Sequence, residues 1–163
     1  MTKRPEVAIL MGSDSDLEVM KEAAKVLKEN GTAYEMKILS AHRSPDDVAK
    51  FVKAARGRGF KVIIAGAGGA AHLAGVIASH TTLPVIGVPM ETKELKGLDS
   101  LLSTVQMPSG VPVATMSIGR SGAKNAGILA LQILSLNDAR LEKRLSGFKR
   151  ELVENIRRKN RNI

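Results

Sequence analysis

Residues able to do chemistry gather in three short stretches of this 163-residue chain. His42 stands beside Arg43 in ILSAHRSPDD (38–47), and His72 closes the small-residue run GAGGAAH (66–72). Imidazole changes charge near neutral pH and suits proton transfer. A guanidinium grips phosphate or carboxylate through paired N–H donors. GSDSD (12–16) precedes a helical pattern, where free backbone N–H groups attract anions. It lacks the lysine of a Walker motif, so a nucleoside triphosphate is not indicated. Ser13 and Ser15 serve equally well as helix caps, and Asp16 either holds a ribose hydroxyl or complements the helix dipole. Two histidines without a regularly spaced third ligand make a poor zinc site. No G-x-S-x-G elbow marks a hydrolase. His80, ending a helical stretch before TTLP, reads as a structural cation at the negative end of a dipole.

The elements that must position these residues alternate from end to end. EVAILMG (6–12), YEMKILS (34–40), KVIIAG (61–66), PVIGV (84–88) and VATMSI (113–118) read as five strands, with Ile38 and Leu39 ending a buried one. Between them lie helical patterns. Ser15 and Glu18 have the form of a capping box, and Leu17, Met20, Ala24 and Leu27 follow at helical spacing to a stop at Gly31. Ser44 predicts an N-cap, Pro45 suits the first helical position, and Asp46 and Asp47 favour the positive end of the dipole. AHLAGVIASH is apolar nearly all round and predicts a buried helix; shorter and longer helices follow over 97–106 and 123–134. Such alternation predicts a three-layer αβα fold with a five-stranded parallel sheet in the flavodoxin-like order 2-1-3-4-5. In that order strands 1 and 3 flank the topological switch point, so the loops carrying GSDSD, His42–Arg43 and GAGGAAH converge on one rim.

Composition narrows the class. One domain over 1–163 is expected, with 137–163 a basic amphipathic C-terminal helix lined by Leu141, Leu145, Phe148, Leu152 and Ile156. The net charge of +9 is concentrated there, with Lys143, Arg144, Lys149, Arg150, Arg157, Arg158, Lys159 and Arg161 against Glu151 and Glu154. Aromatics are 2% of the chain, so bases would find almost nothing to stack on, and the excess reads as a solvated face rather than a nucleic-acid surface. No apolar run reaches the roughly 18 residues of a membrane span, and charges interrupt the N-terminus after Met1. With no cysteine, disulfides and thiolate chemistry are excluded. A soluble, unprocessed cytoplasmic protein is expected.

Two function classes compete for GAGGAA. Gly66, Gly68 and Ala71 fit the G-x-G-x-x-[GA] dinucleotide fingerprint, with Glu91 or Glu94 about 20 residues later. That would be a nicotinamide-dependent oxidoreductase. The motif follows the third strand, however, and only two strands come after it. Close approach of backbone to a smaller ligand explains the glycines equally well. Residue types alone reach a small α/β domain that binds a phosphorylated ligand beside a histidine acid–base.

Several stretches taken together go further. MGSDSD (11–16), SAHRSP (40–45), AGAGGAAHLAG (65–75), LDSLLSTVQMPSGVPVAT (98–115) and IGRSGAKNAGILALQIL (118–134) resemble, in order and spacing, the bacterial phosphoribosylaminoimidazole carboxylase catalytic subunit family. In its class I form this is N5-carboxyaminoimidazole ribonucleotide mutase of purine biosynthesis. The resemblance implies His42 as the catalytic acid and base. It implies substrate contacts from Ser13, Ser15, Asp16, Ser40, Arg43 and His72, and places Gly68 in the loop closing around carbon dioxide. It implies a phosphoribosyl-aminoimidazole substrate, trapped carbon dioxide, no metal or organic cofactor, and an octamer embraced by C-terminal helices. Arg43, where class II enzymes that carboxylate directly with carbon dioxide typically have lysine, favours class I. Ala74 replaces a frequent proline, and Ser109 stands where arginine often follows M-P.

Overall fold

A computed structural model describes residues 4–161; the charge at Lys3 and the last two residues of the C-terminal segment lie outside the described residues. The apolar runs form β1 (Val7–Met11), β2 (Tyr34–Ile38), β3 (Val62–Ala67), β4 (Val85–Pro89) and β5 (Ala114–Thr115). All neighbouring strands pair in parallel, in the order β2-β1-β3-β4-β5. The connecting helices are α1 (Leu17–Glu29), α2 (Pro45–Arg58), α3 (Leu73–Ser79), α4 (Leu98–Val105), α5 (Gly119–Ser135) and α6 (Ala139–Asn160). This is the αβα architecture that the alternation predicts.

Side-chain alternation along the strands divides the core into two layers. Val7, Ile9, Met11, Val62 and Ile64 pack with Met20, Leu27, Ala126 and Leu131 of α1 and α5. Ala8, Leu10, Ile63 and Ala65 point the other way, onto Val52 and Ala55 of α2 and Leu73 and Ile77 of α3. β1, β3 and β4 are buried on both faces, which is why they read as unbroken apolar runs. Each fully buried Ile or Leu contributes about 1.5–3 kcal/mol, so the three central strands anchor the fold.

The edges depart from expectation. β2 is half-exposed and Ile38 is open to solvent, so this strand is not buried: it is an edge, paired only with β1. β5 shrinks from the predicted 113–118 to two residues. Met116 still bonds Gly87 O at 2.8 Å, but the chain then turns toward Gly119, at φ +74, to begin α5. α3 buries Leu73, Ala74 and Ile77 while Ser79 and His80 are exposed, so it is a half-buried rather than an enclosed helix.

The helix starts are also redrawn. Ser15 and Glu18 form no capping box. Ser13 caps instead, accepting the Ser15 N–H to begin a 3-10 turn over Asp14–Asp16, while Glu18 pairs with Lys21. Ser44 occupies the N-cap position of α2, yet its hydroxyl serves the preceding turn and caps nothing. Pro45, Asp46 and Asp47 fill the first turn as expected. α6 packs on α5 through the buried Leu141 and the partly buried Leu145, whereas Leu152, Val153 and Ile156 remain exposed. Among the described residues no helix is long and apolar enough to cross a membrane.

Candidate active site

The rim predicted from strand order holds a cleft of about 460 Å³, formed where β1 and β3 lie side by side. Its walls bring together Ser13, Ser15, Asp16, Ser40, His42, Arg43, Gly68 and His72, every residue that the family resemblance implies for the site. A smaller crevice of about 230 Å³ lies at the other end of the strands, beside Glu6 and Lys61. Lys61 pairs with Glu6 there at 2.7 Å, Arg144 bonds Asn30 O, and no histidine lines it.

The strand-2 turn is built by its own small residues. Ser44 N bonds Ser40 O at 3.0 Å, and the Ser44 hydroxyl accepts the Ser40 N–H at 3.1 Å. The Ser40 hydroxyl in turn accepts the backbone N–H and Nε–H of Arg43, at 3.2 and 3.3 Å. Arg43 Nη2 then crosses to Gly12 O at 2.6 Å and ties the turn to the end of β1. A guanidinium carries five N–H groups, so donors remain for an anion in the cleft. His42 takes no part in this framework. Its Nε2 instead lies 2.8 Å from Nδ1 of His72, with the rings edge to face at 4.9 Å between centroids. Such a contact requires one nitrogen to donate and the other to accept, so a single proton lies between the rings.

The two carboxylates of GSDSD differ in kind. Asp14 is exposed and does not line the cleft. The Ser13 hydroxyl, then the backbone N–H groups of Asp14 and Ser15, hold its carboxyl below the ordinary value near 3.8. Asp16 does line the cleft and is nearly buried; burial pushes its carboxyl up, against a smaller opposing pull from the Ser15 hydroxyl. An acid raised on folding binds more protons in the folded state between its two pKa values, so stability falls as pH rises through that interval. Asp16→Asn is therefore expected to melt above the parent at pH 7, with the difference closing below about pH 4. Calorimetry at both pH values checks this, and a pH-independent gap would remove charge as its cause.

The glycine wall comes from β3. Gly66 passes beneath Met20 and Met90, and a Cβ there would lie 2.5 Å from each side chain. The dinucleotide reading of Gly66, Gly68 and Ala71 fails on architecture. The turn leads into the seven-residue α3, and the sheet ends two strands later at a two-residue β5, with no second nucleotide-binding half among the described residues. Sequence reasoning missed Met90 and Thr92, which line the cleft, and Ser100 behind it. Ser100 and Thr104, four residues apart and both on the buried face of α4, were the available signal.

A family model for AIR carboxylase matches residues 6–155. The chain belongs to that family. It is 61% identical over 142 residues to the N5-carboxyaminoimidazole ribonucleotide mutase of Bacillus subtilis, covering 87% of this chain and 88% of that protein. The mutase of the same name from Pyrococcus horikoshii is 54% identical over 158 residues, covering 97% of this chain and 88% of the relative. A crystal structure of Treponema denticola PurE superimposes with a TM-score of 0.88 at 29% identity, over 98% of this chain and 99% of that one.

Proposed function

We propose that this AIR carboxylase family member is an N5-carboxyaminoimidazole ribonucleotide mutase, an isomerase of purine biosynthesis acting in the cytoplasm. It would convert its carbamate substrate to 4-carboxy-5-aminoimidazole ribonucleotide. The observation that carries this reading is the His42–His72 pair, set in one cleft with Arg43 and the glycine wall. It occurs in a chain more than half identical to proteins bearing that mutase name.

In the proposed reaction Arg43, with Ser13, Ser15 and Ser40, binds the phosphate, and Asp16 takes the ribose hydroxyls. His42 gives a proton to the ring-attached nitrogen as its bond to the carboxyl carbon breaks, leaving the electron pair on nitrogen. The freed aminoimidazole is an enamine, and its ring carbon attacks the retained carbon dioxide to form the new C–C bond. His42 then takes the proton from that carbon, one residue serving as acid and later as base. His72 orients it through the shared proton. Gly68 lets backbone close around carbon dioxide, which aligns it for attack. The substrate supplies its own nucleophile, so the reaction calls for no metal, nucleotide or organic cofactor.

Supplying the carbamate, or aminoimidazole ribonucleotide with bicarbonate, tests the assignment. Efficient consumption of the carbamate without ATP supports it; preference for bicarbonate with the free aminoimidazole would make the protein a direct carboxylase instead.

The chain is proposed to act as one α/β unit in a homo-oligomer, an octamer by family resemblance. The exposed Leu152, Val153 and Ile156 of α6 would pack on neighbouring subunits. Sedimentation of the double variant Leu152→Asp/Ile156→Asp is expected to show smaller species than the parent; an unchanged assembly would rule out this face.

A further inference from the structure

The proposed chemistry assigns no role to the two buried polar side chains of α4, Ser100 and Thr104, which are 0% and 3% exposed. Thr104 is accounted for within its own helix, donating to Ser100 O at 2.8 Å. Ser100 is different. Its Oγ accepts the backbone N–H of Gly69 at 2.9 Å, linking α4 to the loop after β3. Ser103 donates chiefly to Asp99 O at 2.7 Å and reaches Gly69 O only at 3.4 Å.

Gly69 sits at φ +67, and its neighbour Gly68 lines the cleft. Glycine populates positive and negative φ about equally, so its own backbone preference does not select this conformation. Within the loop the Ala71 N–H bonds Gly69 O at 2.8 Å, and from outside it the buried Ser100 hydroxyl fixes the Gly69 N–H. Gly68 is in close quarters as well: a Cβ there would meet Met90 Cβ at 3.3 Å, so the wall has one tight seating against the residue that follows β4.

We propose that Ser100 is a positioning residue that fixes the Gly69 N–H and thereby holds the Gly68 wall where carbon dioxide is retained between the two bond changes. The proposal rests on the mutase reading and extends it. Between those changes the ring-attached nitrogen has lost its carboxyl group and gained a proton, and carbon dioxide is not bonded to anything. If the wall shifts, carbon dioxide escapes and the substrate ends as aminoimidazole ribonucleotide. Misplacement on the scale of an ångström suffices to cost up to about a hundredfold in rate.

Ser100→Ala in the full chain tests this, with the carbamate as substrate and both the carboxylated product and free aminoimidazole ribonucleotide quantified. The kcat is expected to fall about tenfold, with KM near the parent value because the phosphate loops are untouched. The fraction diverted to free aminoimidazole ribonucleotide should rise severalfold. Ser103→Ala, which keeps the Gly69 N–H bond, should partition like the parent. Hydrogen exchange over residues 66–72 should be faster in Ser100→Ala alone. Parent-like partition in Ser100→Ala overturns the proposal even where kcat falls, since lost stability alone lowers rate without changing the product ratio. Parent-like exchange overturns it whatever the substrate. A parent protein that leaves the carbamate untouched refutes the mutase reading itself, a separate failure.

Discussion

Replacing His42 by asparagine is expected to lower kcat for the carbamate by at least about a hundredfold, the lower end of what a positioned acid–base contributes, while the fold survives. The second half of that expectation follows from how the turn is made. Ser40, Arg43 and Ser44 hold it through hydroxyl, guanidinium and backbone bonds, and the His42 side chain is exposed outside that framework. Asparagine can still accept or donate a hydrogen bond toward His72, so the cleft keeps a polar contact. It cannot take and return a proton near neutral pH. Binding of the phosphoribosyl group, which would depend on Arg43 and the serines, should change little, so the loss belongs in kcat rather than KM. Steady-state kinetics with circular dichroism on the same sample separates the two effects. A variant retaining the parent kcat would sink the proposed acid–base role, whatever the identity of the substrate.

The legibility of this chain varied with the range of the interaction. Pro45 with two following aspartates marks a helix start by local chemistry alone, and α2 begins there. β1, β3 and β4 are apolar at every position because both faces are covered, and that too is a local signal. The loops converged because strand order, once inferred, dictates which rims are neighbours. Choices among chemically similar neighbours were not legible. Ser13 and Ser15 are both competent caps, and only the tight 3-10 turn gives the position to Ser13. VATMSI has strand propensity throughout, but an edge strand keeps pairing only while the next element permits, and α5 begins too soon. Ser100 was hidden for a third reason: its partner is a backbone N–H 31 residues away, and no periodicity encodes such a contact. His42 and Arg43 fell between these cases. Their loop position follows from the elements, the distinct duties proposed for them rest on family resemblance, and the contacts that separate them, Arg43 with Gly12 and His42 with His72, are encoded by no local pattern.

Gly122→Ala tests the fold where two ways of reasoning predict opposite signs. Gly122 lies in the first turn of α5, and inside a helix alanine is better than glycine by about 1 kcal/mol. Propensity alone therefore predicts stabilisation. The packing predicts the reverse. The Ser117 carbonyl folds back onto Gly122 so closely that a Cβ would lie 1.6 Å from its oxygen and 2.7 Å from its carbon. These are backbone atoms and cannot swing aside as a flexible side chain would. Nor can α5 shift to make room. A Cβ on Gly127 would already meet Ala23 O and Val26 Cβ of α1 at 3.0 Å, so the two helices touch backbone to backbone. The remaining adjustment is to pull residues 117–119 away from the helix start, disturbing the approach from β5 and the turn at Gly119. Overpacking of that order costs about 3 kcal/mol, which outweighs the propensity gain. At this chain length the net loss lowers Tm by about 4–8 °C, measured at one fixed protein concentration because the proposed assembly would also shift Tm. A variant that melts at or above the parent would show that the segment before α5 yields easily and that helix propensity decides the balance there.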